Sequence, residues 1–260
     1  MINVEDENFL ALKRSKLNFL PSILKKNQTK KEFYFDSINK QRKDFGIKET
    51  DNISSHGYDK TARNIVSKHS EGIILDCGAG LRDKYYQNVI NLEIENYPTT
   101  DVLGFADNMP FKDESFDAVL CLNVLEHVTN PFVVAQEIIR VLKKNGELYC
   151  VVPFLQPLHG YPEHYYNMTR EGIINLFNQQ LEVSDSFVYK SGHPIHSLRW
   201  IIESWSNGLP DDIRERFLDL RIADLLDDPY LQLEKDYVKC LNSEKVKELA
   251  STNSIIAQKK

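Results

Sequence analysis

Five short apolar runs, "IILDC", "VINLEI", "DVLGFA", "FDAVLCLN" and "ELYCVVP", follow one another from residue 72. Several are apolar at successive positions and not only at alternate ones. Strands built from them must be covered on both faces, as in a parallel sheet held between layers of helices. The clearest helix stands between the last two runs. Asn130 of "VTNP" is its N-cap, Pro131 takes the first helical position, and Val134, Ile138, Val141 and Leu142 form one apolar stripe. Arg140, Lys143 and Lys144 suit the negative end of its dipole, and Gly146 is placed to close it. Strand, helix, strand predicts an α/β fold.

The rest of the chain divides around this core. Residues 1–60 combine the amphipathic "FLALKRSKLNFLPSIL" with the lysine-rich "KKNQTKKEF" and read as a helical N-terminal arm, a solvated cap in preference to a recognition surface. Residues 61–190 form the core, with a second helix from near Thr169 through "IINLF" and a strand over 181–190. Residues 191–253 read as several helices, and 254–260, "SIIAQKK", as a final apolar run. If that run returns to the sheet, 191–253 is a helical insertion or lid. The other reading is a separate C-terminal helical domain with a frayed tail.

Composition narrows the partners. A net charge of -6 over 260 residues argues against nucleic acid or an anionic membrane surface as the main partner. No stretch reaches the roughly 20 apolar residues of a membrane span, and the acidic start "MINVEDENFL" is unlike a secretory signal, so the expected place is the cytoplasm. Cys77, Cys121, Cys150 and Cys240 form no CxxC, and three lie in strand-like runs, which argues against a metal site or a disulfide scaffold.

The first strand ends in "LDCGAG", leaving Gly78 and Gly80 in a turn where the missing Cβ atoms permit positive φ and close approach of a ligand. A dinucleotide fingerprint would carry a third glycine at Asp83, whose carboxylate repels phosphate. About ten residues separate Gly78 from the next strand, so any crossover helix is short. Glu93, at the end of that strand, is placed to accept hydrogen bonds from ribose hydroxyls. The combination points to a nucleoside.

"ILDCGAG", Glu93 and "MPFKDESFDAVLCLNVLEHVTNPFVVAQEIIRVLKKNGELYCVVP" in this order resemble the class I S-adenosylmethionine-dependent methyltransferases of the type 11 family, over roughly residues 72–190. The resemblance implies a Rossmann-like, seven-stranded sheet, mostly parallel, whose antiparallel last strand would be residues 254–260. It implies S-adenosylmethionine as cofactor, with Asp76, Gly78 and Gly80 along the methionine part, Glu93 on the ribose and Asn123 near the sulfonium. The family's adenine-binding aspartate is replaced by Phe105, which leaves Phe105, Ala106 and Asp107 as the adenine contacts. Arg82 stands where relatives carry a further glycine, which implies an altered loop around the carboxylate end.

Methyl transfer is an in-line displacement, so alignment in a dry site supplies most of the acceleration, and a hydroxyl acceptor needs a base. "PFLQPLHGYPEHYYNMTR" follows the fifth strand, on the sheet edge where open α/β folds hold ligands. It offers His164 and then His159 as general base, and Tyr161, Tyr165 and Tyr166 as walls of an acceptor pocket. The competing reading is that these side chains tie the loop down by hydrogen bonds. His127 of "NVLEHV" is a further acceptor-side candidate, and Glu126 beside it reads as structural. The resemblance of this loop to sugar-tailoring methyltransferases implies a small-molecule or sugar-like acceptor, methylated at oxygen. A non-catalytic cofactor-binding regulator or scaffold is the second reading, motivated by Phe105. A NAD-dependent sugar oxidoreductase is the third, disfavoured by Asp83.

Overall fold

A computed structural model of the chain describes residues 6–25, 54–55, 57–160 and 163–259. Most of "KKNQTKKEF", together with Tyr161 and Lys260, lies outside the described residues. The chain forms two compact units, 1–154 with 160–186 and 155–159 with 187–260.

The first unit is built on a parallel sheet of β1 (Ile74–Cys77), β2 (Val89–Glu93), β3 (Val102–Leu103), β4 (Phe116–Leu122) and β5 (Leu142–Val151), in the order β3-β2-β1-β4-β5. Among the described residues, four helices accompany it: α1 (Glu7–Ile23), α2 (Lys60–Lys68), α3 (Pro131–Val141) and α4 (Arg170–Phe177). Strand residues alternate between two clusters. Leu75, Cys77, Ile90, Leu92, Val119 and Cys121 pack with Leu20 and Ile23 of α1, Val134 and Ile138 of α3, and Leu176 and Phe177 of α4. Ile74, Val89, Ala118 and Leu120 pack on the other face with Ala62, Ile65 and Val66 of α2. Covering both faces is the physical reason these runs are apolar throughout.

α3 begins as its sequence predicts, with the Asn130 side chain accepting from the amides of Phe132 and Val133. Asn130→Ala should cost about 1 kcal/mol, read as a lowered urea midpoint. The helix ends at Val141, because Leu142 already pairs with Phe116 in the sheet. Asn145, at φ 62°, takes the left-handed position that the sequence assigns to Gly146.

Two expectations are corrected. No helix forms among residues 78–88, since the short connection is used up by the turn and the return to β2. α1 takes up part of the covering role: Leu20 and Ile23 are buried, Leu24 bridges to Phe111, and the buried Lys16 ammonium meets Asp101 at 2.9 Å. One face of α1 is buried on the core, while Leu10, Leu17 and Phe19 remain exposed. Among the described residues the sheet has five parallel strands, not seven with an antiparallel last strand. Neither 181–190 nor 254–259 enters a ladder, and Ile255 and Ile256 are 90% and 102% exposed. A strand persists through its pairing and an apolar face, and "SIIAQKK" has only two large apolar residues to bury.

The second unit is helical, as the sequence of 196–250 leads one to expect. Pro194–Asn207 and Asp211–Leu218 lead into short helices ending at Ser243–Glu248. Leu209, Ile213 and Phe217 pack with Ile202, Trp205, Tyr237 and Leu241, and the Trp205 indole donates to the Tyr237 carbonyl at 2.8 Å. No helix among the described residues is long and apolar enough to cross a membrane.

Candidate functional site

The C-terminal ends of β1, β2 and β4 lie side by side, so the polar residues just beyond them converge. Gly78 and Gly80 follow β1 with φ of 68° and 62°, the left-handed backbone that their sequence predicts. The amides of Gly78 and Ala79 donate to the Leu92 carbonyl, and the Gly80 amide donates to Glu93 Oε2 at 2.7 Å. The turn after β1 is thus clasped to the tip of β2.

What approaches the two glycines is the chain itself. A Cβ at Gly78 would fall 2.5 Å from a Val124 methyl, and one at Gly80 would fall 2.6 Å from the Ser54 carbonyl oxygen. The Leu81 amide also donates to that carbonyl at 2.8 Å. The glycines are required by packing and backbone conformation before any ligand is considered.

Glu93 Oε1 accepts from the amides of Ile94 and Glu95, at 2.8 and 3.2 Å. With the Gly80 bond, three of about four lone-pair positions are taken, leaving room for one hydroxyl where the sequence suggests a pair. Burial raises the Glu93 carboxyl above its ordinary range, and these amides work against the rise. Asp76 likewise accepts three hydrogen bonds, two of them from a cation. It is wholly buried, with Oδ1 accepting from Arg82 Nη2 at 3.0 Å and Oδ2 from Arg82 Nε at 2.7 Å and Tyr58 Oη at 2.5 Å. The departure at position 82 therefore turns inward: Arg82 forks onto Asp76 with its guanidinium carbon 4.6 Å from the Tyr58 ring centroid. Burial, with the Asp76 charge adding to it, pushes the Tyr58 phenol well above its ordinary value.

Beyond β3, Phe105 and Ala106 are half-buried, Ala106 packing against the main core. The half-buried Asp107 carboxyl is raised by burial. Just past β4, Asn123 adopts φ 56°, and its buried Oδ1 has no hydrogen-bond partner among the described residues. The 3₁₀ turn Leu125–His127 follows, with Glu126 wholly buried and both carboxyl oxygens likewise without a partner. Burial pushes its carboxyl up to about 8. The sequence treats Glu126 as structural, and "NVLEHV" carries no sign that a carboxyl would be isolated there.

His127 and His164 come together, with ring centroids 5.8 Å apart. His127 Nδ1 lies 2.8 Å from the Glu163 carbonyl oxygen, and its Nε2 lies 3.7 Å from Glu126 Oε1. Gly160, at φ 88°, allows this placement, since a Cβ there would meet His127 Cε1 at 2.2 Å. His164 Nε2 lies 3.0 Å from Asn167 Oδ1. The amides of Tyr165 and Tyr166 donate to the Glu126 carbonyl, and the Tyr166 hydroxyl donates to the Thr129 carbonyl at 3.0 Å. His159 belongs to the second unit, where its ring lies 5.3 Å from that of Trp200. Tyr161 is outside the described residues. A cavity of about 650 Å³ lined by Lys16, Phe19, Gly72, Ile73, Tyr86 and Asn88 opens at the N-terminal ends of β1 and β2, and none of the candidate residues lines it.

Glu93, the half-buried 105–107 segment and the partnerless Asn123 oxygen suit a nucleoside with hydroxyl and amino donors. Asp76 leaves little capacity for the amino-acid end of S-adenosylmethionine.

Residues 77–150 match a family model described as a methyltransferase domain. A 91-residue segment is 38% identical to an uncharacterized protein of Methanocaldococcus jannaschii, covering 31% of this chain and 40% of that protein. The chain thus spans about two fifths of the curated relative it matches. Similar solved structures include a Thermotoga maritima protein described as an S-adenosylmethionine-dependent methyltransferase and possible histamine N-methyltransferase. It is 25% identical, with 42% of this chain and 62% of that chain covered and a TM-score of 0.33. The YcgJ protein of Bacillus subtilis is 19% identical, with coverages of 60% and 88% and a TM-score of 0.37.

Proposed function

We infer from the methyltransferase domain over residues 77–150 that this chain transfers methyl groups from S-adenosylmethionine to a small-molecule or sugar-like acceptor, at oxygen. The observation that carries the reading is the left-handed Gly78–Gly80 turn bonded at 2.7 Å to the Glu93 carboxylate, inside the matched segment. Glu93 would hold a ribose hydroxyl, the 105–107 segment the adenine, and Asn123 the region of the sulfonium. When bound, the cofactor supplies an electrophilic methyl group. The protein's part is to align the acceptor, exclude water and take the hydroxyl proton.

His164 is the base in this reading. With Asn167 Oδ1 accepting, the neutral ring carries its proton on Nε2 and Nδ1 is the basic nitrogen. Tyr165 and Tyr166, fixed by their bonds to Glu126 and Thr129, wall the acceptor. His164→Ala should lower turnover about 10²- to 10⁴-fold with cofactor affinity unchanged; unaltered turnover removes it from the mechanism.

Calorimetry with S-adenosylmethionine, S-adenosylhomocysteine and NAD tests the assignment. Binding of the first two and not of NAD is expected, whereas NAD binding alone overturns it. Glu93→Ala should weaken S-adenosylhomocysteine by about 1–3 kcal/mol. It should also destabilise the fold, since three backbone amides lose their acceptor. A second reading, a non-catalytic cofactor-binding scaffold, is favoured by the committed Asp76 and by Val124 and Ser54 against the glycines. Cofactor binding without methylated product from any extract would select it.

A further inference from the structure

Three buried oxygens lack a hydrogen-bond partner among the described residues: Asn123 Oδ1 and both oxygens of Glu126. They belong to residues three apart in sequence, at the C-terminal end of β4. Glu126 is wholly buried within a fixed frame: its carbonyl accepts from the Tyr165 amide at 2.7 Å. Isolating acceptors from water costs free energy that no hydrogen bond among the described residues returns.

With Glu126 ionised, all three orphans are acceptors, so a group completing them must bring donors and hold the carboxyl in its charged form. A phosphate or carboxylate would set acceptor against acceptor. A hydroxyl brings a single hydrogen, whereas a primary ammonium brings three and one positive charge. That charge balances the one carboxylate. A divalent metal ion would leave the position cationic and buried, which favours the ammonium.

We propose that the C-terminal end of β4 binds a protonated primary amino group carried by the methyl acceptor, with the Glu126 carboxylate as its counter-ion and Asn123 Oδ1 as a further acceptor. The word acceptor rests on the methyltransferase reading above. An ammonium has no lone pair, so this group anchors the molecule and leaves the nearby oxygen as the nucleophile.

The probe is methylammonium chloride, titrated at pH 8 and constant ionic strength into full-length protein carrying ¹³C-labelled glutamate, with methanol and magnesium chloride as parallel titrants. A ligand of two heavy atoms binds no tighter than millimolar, so the series extends to about 0.5 M. A saturable shift of the Glu126 carboxyl carbon with methylammonium, absent with methanol, is expected. Its saturation, followed at the Tyr165 and Tyr166 amides, should weaken at least about tenfold in Glu126→Gln and Asn123→Gly. Glycine retains the left-handed backbone at 123, so that variant serves if Glu126→Gln fails to fold. No saturable shift, an equal response in a folded variant, or tighter saturation by magnesium overturns the proposal. S-adenosylhomocysteine calorimetry on the same samples separates the two readings. Cofactor binding without a methylammonium response overturns the amine site alone. A methylammonium response without cofactor binding overturns the methyltransferase reading and leaves the amine site.

Discussion

Arg82→Ala should destabilise the first unit by about 3–5 kcal/mol, the cost of leaving a buried carboxylate without its partner. Asp76 is wholly buried and Arg82 is 5% exposed, so water cannot replace the guanidinium. The pair acts through geometry as well as charge. Its fork, at 2.7 and 3.0 Å, ties the loop after the glycine turn back onto β1, and Tyr58 joins the segment before α2 to the same carboxylate. Urea denaturation followed by hydrogen exchange at the β1 amides measures the effect. Asp76→Asn together with Arg82→Met should recover most of it, because removing both charges removes the uncompensated one. A loss under about 1 kcal/mol in the single variant would mean that the loop is held by other contacts.

The same residues show where sequence reading reaches its limit. The parallel sheet was legible because burial on both faces leaves a local imprint, apolar residues at successive positions in each strand. The starts of α3 and α4 were legible for a similar reason: an N-cap is set by its own side chain and the next few amides, as at Asn130 and Thr169. The left-handed turn at Gly78 and Gly80 is also local. What touches that turn is not, since Val124 and Ser54 reach it from 44 to 46 and 24 to 26 residues away and carry no mark of doing so. Two strands were expected that do not form, because a ladder depends on a partner elsewhere in the chain, and two isoleucines do not provide one. At the site, the sequence names residues at the strand ends but not what those residues bond to. Nothing in the sequence marks that Arg82 forks onto Asp76, or that the Glu126 oxygens have no hydrogen-bond partner among the described residues.

That isolation gives Glu126 a signature in pH. Its carboxyl holds its proton up to about 8 in the folded chain, against an ordinary 4.5. Between these values the native state keeps a proton that the unfolded chain has released, so raising the pH favours unfolding. The contribution is fully present below pH 4.5 and is lost as pH rises through 8, about 5 kcal/mol in all at about 1.4 kcal/mol per pH unit. Glu126→Gln removes this slope while keeping the shape of the side chain. Urea midpoints of the two proteins should therefore converge near pH 5 and separate steadily towards pH 8, with the variant the more stable at the alkaline end. His127 Nε2 lies 3.7 Å from Glu126 Oε1, and positive charge on that ring would oppose the rise of this carboxyl. Parallel pH profiles for the wild-type chain and Glu126→Gln would show that the carboxyl is already ionised and partnered in the free protein, and the ammonium anchor inferred from its isolation would then lose its basis.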